Sequence, residues 1–407
     1  MADMITLPEM KEQIKKLISY HSDRGFLHYG DCNRVCDELI RIAARSKMLE
    51  DQLLAMDIQL HILAETAKLI SHADTSSGAA GDTIDFSLEA IEECSKSAPE
   101  NLHKAMFDSL LKTVKKKAFS EWKEVGYKLL RSAVYLVQDQ NQAKKVYELF
   151  PILGNMYGGK EYPDRYLITH GIIERLEGEA ASEQYLLEHL EVPEIRMIVV
   201  KRAIAAKNYD WAEKLAADAL RKDRSFLEPS KWAYALERIY AETGNREKRL
   251  EMARLILLKG DTSFYRKIKE LCSSEEIWEE QREALLQELS KAYMYHIYAD
   301  LLSKEGEEAR LLQVVQEHPN LIEDYGRQLS VLFPEETYTI YENYIEEQAA
   351  TATDRRKYKG VCKLIRGYSA AGAKTAALAA IQRLIEKYPR RPAMVDELEG
   401  LRKKLVK

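Results

Sequence analysis

Three residues near the N-terminus have the types and spacing that suit a metal ion. His28, Cys32 and Cys36 recur at steps of four. On one helix spanning 28–36, that places an imidazole and two thiols on neighbouring turns of a single face. A closed structural zinc site needs four ligands, and no fourth stands nearby in the sequence. The competing reading is packing, because thiols at this spacing beside Val35 and Leu39 fill a core as small apolar groups. Packing is the expectation, with no metal or cofactor.

Other chemistry is harder to find. Cys94, Cys272 and Cys362 sit in no recognisable nucleophile motif, and the nine histidines are dispersed without a His-Glu-x-x-His pair. Gly158-Gly159-Lys160 has neither the length nor the Ser/Thr of a phosphate-cradling loop. The acids between Asp74 and Asp85 lack calcium-loop spacing. No enzyme is expected. Lys112, Lys115, Lys116 and Lys117 form one basic cluster, and Arg355, Arg356, Lys357 and Lys359 form another. Either could meet phosphates, but both lie in an acid-rich chain and near helix ends, where a solvated cationic face is the simpler expectation.

The aromatic residues are more suggestive, with 23 Tyr against 8 Phe. A tyrosine packs along its ring and keeps a hydroxyl for water or a polar partner, which suits half-buried groove walls. Tyr293, Tyr295 and Tyr298 form one group, and Tyr338, Tyr341 and Tyr344 another at i, i+3 and i+6. These six are the candidate partner-binding residues. The alternative is that they pack between helices.

The elements that must position these residues are helices. Only 18 Gly and 10 Pro occur in 407 residues, too few for a protein built on tight β-turns. The apolar fraction of 46% is ample for a core, and a net charge of −5 argues against a generic polyanion binder. No apolar run approaches a membrane span, the N-terminus has no signal-peptide pattern, and five scattered cysteines form no disulfide framework. A cytoplasmic location is the default expectation.

Helical periodicity runs from end to end. The segment from 48 to 72 is apolar enough to be buried on more than one side. Residues 73–84, rich in small and polar types, read as a mobile loop. Ser273 and Glu276 have the spacing of a capping box. From about 193 onward, breaks recur every 13–18 residues, so two helices make a unit of 30–36 residues. Ala212, Ala216 and Ala219, followed by Trp232, Leu236 and Tyr240, fit antiparallel helices in close approach. The expected fold is all-α: an N-terminal helical layer over 1–97, then an α-solenoid of stacked antiparallel hairpins over 98–407. Its repeats are tetratricopeptide-like but degenerate. Stacking of this kind creates a concave surface suited to a protein or peptide partner.

The stretch from Asn208 to Lys404 resembles the helical C-terminal region of bacterial SWIM zinc-finger proteins. The resemblance is carried by Tyr209-Asp210-Trp211-Ala212-Glu213-Lys214, Trp232, Gly260-Asp261-Thr262-Ser263-Phe264-Tyr265, Trp278, Tyr298-Ala299-Asp300-Leu301-Leu302 and Lys387-Tyr388-Pro389-Arg390-Arg391-Pro392-Ala393. Ser22 to Tyr29 also looks like the start of that region. The family's zinc module, Cys-x-Cys with Cys-x-His, has no counterpart here. The resemblance therefore implies the helical platform without the finger: a bacterial, cytoplasmic scaffold or adaptor. The alternative it leaves is a nucleic-acid-associated subunit working beside a separate zinc-finger or DNA-binding partner.

Overall fold

Periodic apolar residues and scarce turn formers give a succession of helices, the first Leu7–His21 and the last Pro392–Val406 among the described residues. The computed structural model describes residues 6–224, 228–291 and 294–406. Tyr293 lies outside the described residues. Among those described, the only β-type pairings are two isolated bridges, Asp23 with Phe26 and Leu27 with Ala73. No helix is long and apolar enough to cross a membrane. The chain divides into two units, residues 1–215 and 216–407.

In the first unit, the helix Gln52–Leu69 explains the arrangement. Its apolar residues cover most of the circumference and leave only one polar stripe, Asp57, His61, Glu65 and Lys68, so more than one side of it must be covered. Ile58, Ile62 and Leu69 join Ile14, Val35 and Leu39 in one core. Met56, Leu60, Leu63, Ala64 and Ala67 face a second core with Met106, Phe107 and Leu110. Burial on more than one side is what its composition predicts. The second core runs on to Ile172, through Tyr127, Leu129 and Leu153. A division at 97 therefore does not match this unit, because the helices Ala79–Ser97 and Glu100–Val114 share that core. The expected loop at 73–84 is also shorter than its composition suggests. The helix Ala79–Ser97 begins inside it, with Gly78 at φ +87° as its N-cap. Asp74 donates its amide to the Leu27 carbonyl at 2.8 Å, tying the loop's start to the chain before the second helix.

The second unit is a run of antiparallel hairpins. Lys231–Glu242 packs on Arg246–Leu258 across a turn where Gly244 adopts φ +70° and the Asn245 side chain accepts from the Lys248 amide. Glu275–Ser290, Tyr295–Glu305 and Glu308–Glu317 follow, then Ile322–Leu332, Pro334–Thr351, Arg355–Ala370, Lys374–Lys387 and Pro392–Val406. Along the C-terminal part, helices pack on the next and on the next but one: Ile322–Leu332 meets both Pro334–Thr351 and Arg355–Ala370. This is the contact order of stacked hairpins, in which each unit covers its neighbour's apolar face. Trp232, Leu236 and Tyr240 are buried, as are the small Ala212, Ala216 and Ala219. One cap differs from the expectation. Ser274, not Ser273, caps Glu275–Ser290 by accepting from the Ile277 amide at 3.3 Å, so Glu276 lies one position too early for a capping box.

Candidate functional site

The N-terminal trio separates in space. Helix Tyr29–Ser46 starts one residue too late to include His28, which is its N-cap. The imidazole is 67% exposed and lies 3.8 Å from Asp23 Oδ2. Both thiols are wholly buried among Ile14, Val35 and Leu39. Burial raises both thiol pKa values, that of Cys36 to about 12, so each holds its proton, whereas a zinc ligand must shed it. Among the described residues no group of three or more His, Cys, Asp or Glu side chains is placed to hold a metal ion.

One juxtaposition has the form of a catalytic pair. Ser182 Oγ lies 2.9 Å from His170 Nε2, across the hairpin of Pro163–Glu177 and Glu179–Glu188. Burial pushes the imidazole pKa down, which keeps it neutral. The serine is completely buried, so its hydroxyl has no open face from which to attack a substrate. The pair joins two helices.

The tyrosines divide by position around their helix. On Pro334–Thr351, Tyr341 is only 1% exposed. Its hydroxyl donates to the Ile322 carbonyl at 3.1 Å, and its ring stacks on Tyr368 at 5.2 Å. Tyr338 is half-buried, donates to the Ala371 carbonyl at 3.1 Å and meets Tyr368 edge-on at 5.6 Å. These two pack between helices. Tyr344, six residues beyond Tyr338, faces elsewhere. It lines a slot of about 340 Å³ together with Gln316, Pro319, Glu336, Thr339, Ile340, Asn343 and Glu347. Residues 336, 340, 343, 344 and 347 form one helical stripe, with the end of Glu308–Glu317 and the turn at Pro319 opposite. Ile340 provides an apolar floor and the carboxylates stand at the rim.

Tyr295 stacks on His318 with centroids 3.9 Å apart and planes at 11°, one residue before Pro319 of the slot. Tyr298 is half-buried, and burial raises its pKa beside Arg310 and Glu283, which pair at 2.9 Å. The sequence singled out Tyr344 but not its neighbours along the stripe. Their helical spacing was readable; which stripe the next hairpin leaves uncovered was not.

The basic clusters are interleaved with acids. Lys117 pairs with Glu121 at 3.2 Å, and Arg355 pairs with Asp396 and Glu397. Lys112 and Lys115 line a cavity with Lys145, but also with Asp108 and Glu148. Burial lowers the Lys116 pKa, with nearby Lys68, Lys11 and Lys112 adding to the effect.

No family model matches the chain, and no curated protein matches it. Two solved structures similar to it are repeat proteins. The tetratricopeptide repeat domain of P58(IPK) is 12% identical with 98% of each chain covered and a TM-score of 0.23. A circular tandem repeat protein with novel repeat topology is 13% identical, covering 98% of this chain and 95% of that one, with a TM-score of 0.22. With overlaps this loose, the hairpin architecture stands on the chain's own contacts.

Proposed function

We propose that this protein is a non-catalytic helical-repeat scaffold or adaptor, and that it docks a protein or peptide segment in the slot beside Tyr344. The observation that supports this most directly is the slot's composition: an apolar floor at Ile340, an amphipathic ring at Tyr344 and a polar rim. Protein interfaces have this anatomy, with a desolvated centre inside a hydrated edge. The stripe of Pro334–Thr351 on one side and the end of Glu308–Glu317 with the Pro319 turn on the other form the slot without any bound segment, and a preformed site lowers the ordering cost of binding. Bacterial cytoplasm is the setting that agrees with the resemblance to the SWIM helical region. In that setting the chain would work beside a separate polypeptide. Direct nucleic-acid binding has less support, because acids stand among the basic residues of both clusters: Glu121 pairs with Lys117, Asp396 and Glu397 with Arg355, and Asp108 and Glu148 line the cavity of Lys112 and Lys115.

The test fills the slot without touching a core. Asn343 is exposed on its wall, so Asn343→Trp leaves the helix intact while occupying the space. Partners captured from the native host by the unaltered protein should be lost with Asn343→Trp and with Tyr344→Ala. They should be kept with Tyr20→Ala, a change at an exposed ring in the other unit. Full retention by Asn343→Trp would show that the slot is not the docking site.

A further inference from the structure

We infer that the slot beside Tyr344 selects a basic segment, one that carries Arg or Lys side chains in extended conformation; this rests on the docking reading above. The argument begins with which carboxylates on Pro334–Thr351 have cationic partners. Glu342 pairs with Arg383 at 3.6 Å and Glu346 with Lys387 at 2.7 Å, on the helix face turned to Lys374–Lys387. On the neighbouring helix, Glu323 pairs with Lys363 at 2.6 Å. Glu336 and Glu347, the two that line the slot, pair with no cation among the described residues. No Lys or Arg lines the slot either. The stacked helices therefore neutralise the carboxylates on their packed faces and leave two uncompensated at the slot.

The geometry suits a chain rather than a point ligand. Glu336 and Glu347 are eleven residues apart on one helix, about 16 Å at 1.5 Å per residue. Extended chain covers that distance in about five residues. Between the carboxylates lie Ile340, Asn343 and Tyr344. Ile340 and the Tyr344 ring accept the aliphatic stem of a long cationic side chain, and the ring face also attracts the cation itself. Asn343 and Gln316 offer amides to an extended backbone. A guanidinium or ammonium head at either end then finds a carboxylate. An acidic segment, or a polyanion, would bring like charges together at both ends and is rejected.

The experiment uses the full chain and fluorescein-labelled peptides of nine residues, uncharged except for two arginines separated by three residues. One comparison peptide carries citrulline in place of both arginines, and another carries glutamate. At low salt the arginine peptide should bind at least about tenfold more tightly than the citrulline peptide, with the preference shrinking as salt rises. Glu336→Gln combined with Glu347→Gln should abolish the preference, and Asn343→Trp should abolish binding altogether. Equal binding of the arginine and citrulline peptides, still lost with Asn343→Trp, overturns the basic selectivity and leaves docking standing. If no peptide binds the unaltered protein better than it binds Asn343→Trp, the docking site and its selectivity fall together.

Discussion

Arg165 makes the densest set of polar contacts in the first unit. Its guanidinium donates to the Tyr127 hydroxyl at 2.8 Å, to the Phe150 and Gly154 carbonyls at 3.1 Å, to Asn155 Oδ1 at 2.7 Å and to Glu161 Oε1 at 2.9 Å. Its side chain is only 14% exposed and lies over the Tyr127 and Phe150 rings. One planar fork thus ties Pro163–Glu177 to the short helix Phe150–Leu153 and to Lys123–Arg131. Truncating it removes the charged donor that the Phe150 and Gly154 carbonyls share with the Tyr127 hydroxyl, and takes the same donor from Asn155 Oδ1. Arg165→Met should cost about 3 kcal/mol, read as a lower urea midpoint by far-ultraviolet dichroism. Arg165→Lys should recover little of it, since a point charge cannot reproduce the fork. An unchanged midpoint for Arg165→Met would show that these contacts contribute nothing net. Nothing in the residue pattern around 165 announces this role. Tyr127, the segment from Phe150 to Asn155 and Arg165 itself meet only after the chain has folded.

At the scale of elements, the hairpins of the second unit are spaced by pairs of large and small side chains. Tyr341 fits between Ile322–Leu332 and Arg355–Ala370 because Gly326 and Gly367 have no side chain to obstruct it. A Cβ built on Gly326 would meet the Tyr341 hydroxyl and lie 2.7 Å from ring carbon Cε2. Gly326→Ala should therefore destabilise by about 1–3 kcal/mol through overpacking. Gly360 is the control, since it lies in Arg355–Ala370 with nothing within 4 Å of a built Cβ. Gly360→Ala should be neutral or stabilising by up to about 1 kcal/mol, because alanine is the better helix former. Thermal melts of the two variants should move in different directions. A Gly326→Ala melt no lower than that of Gly360→Ala would show that this helix pair has room to spare. The candidate tyrosines were legible at this scale only as a periodic group. The i, i+3, i+6 spacing spreads them over an arc wide enough for Tyr338 and Tyr341 to face inward while Tyr344 faces the slot.

At the scale of the whole molecule, the tyrosine-rich composition has a consequence for pH. Burial raises Tyr185, Tyr341 and Tyr368 to about 12, and Cys36 to about 12 as well. A tyrosine in an unfolded chain titrates near about 10. These groups are acids with raised folded-state pKa values, so the unfolded chain loses their protons first. The tyrosines' contribution to stability is complete below about pH 10 and that of Cys36 below about pH 8.5, and both disappear as pH climbs through about 12. Alkaline titration should show phenolate absorbance at 295 nm rising in step with loss of helical dichroism. Complete tyrosine ionisation with the helices intact would contradict the burial described here.

The sequence by itself determined that the protein is helical, that its scarce Gly and Pro residues mark joints between helices of similar length, and that the segment from about 48 to 72 is buried on more than one side. Each of these follows from local preference and periodicity, which the chain carries in every window of a few turns. Its reading of Cys32 and Cys36 as packing groups came from the same source, as their apolar neighbours lie on the same stripe. Tertiary structure alone decided where the first unit ends, which tyrosines are wedges and which one borders a slot, and that Glu342 and Glu346 find cations while Glu336 and Glu347 do not. Those outcomes depend on which helix packs against which face. That choice is set by the summed fit of many side chains distant in sequence, and no local pattern encodes it.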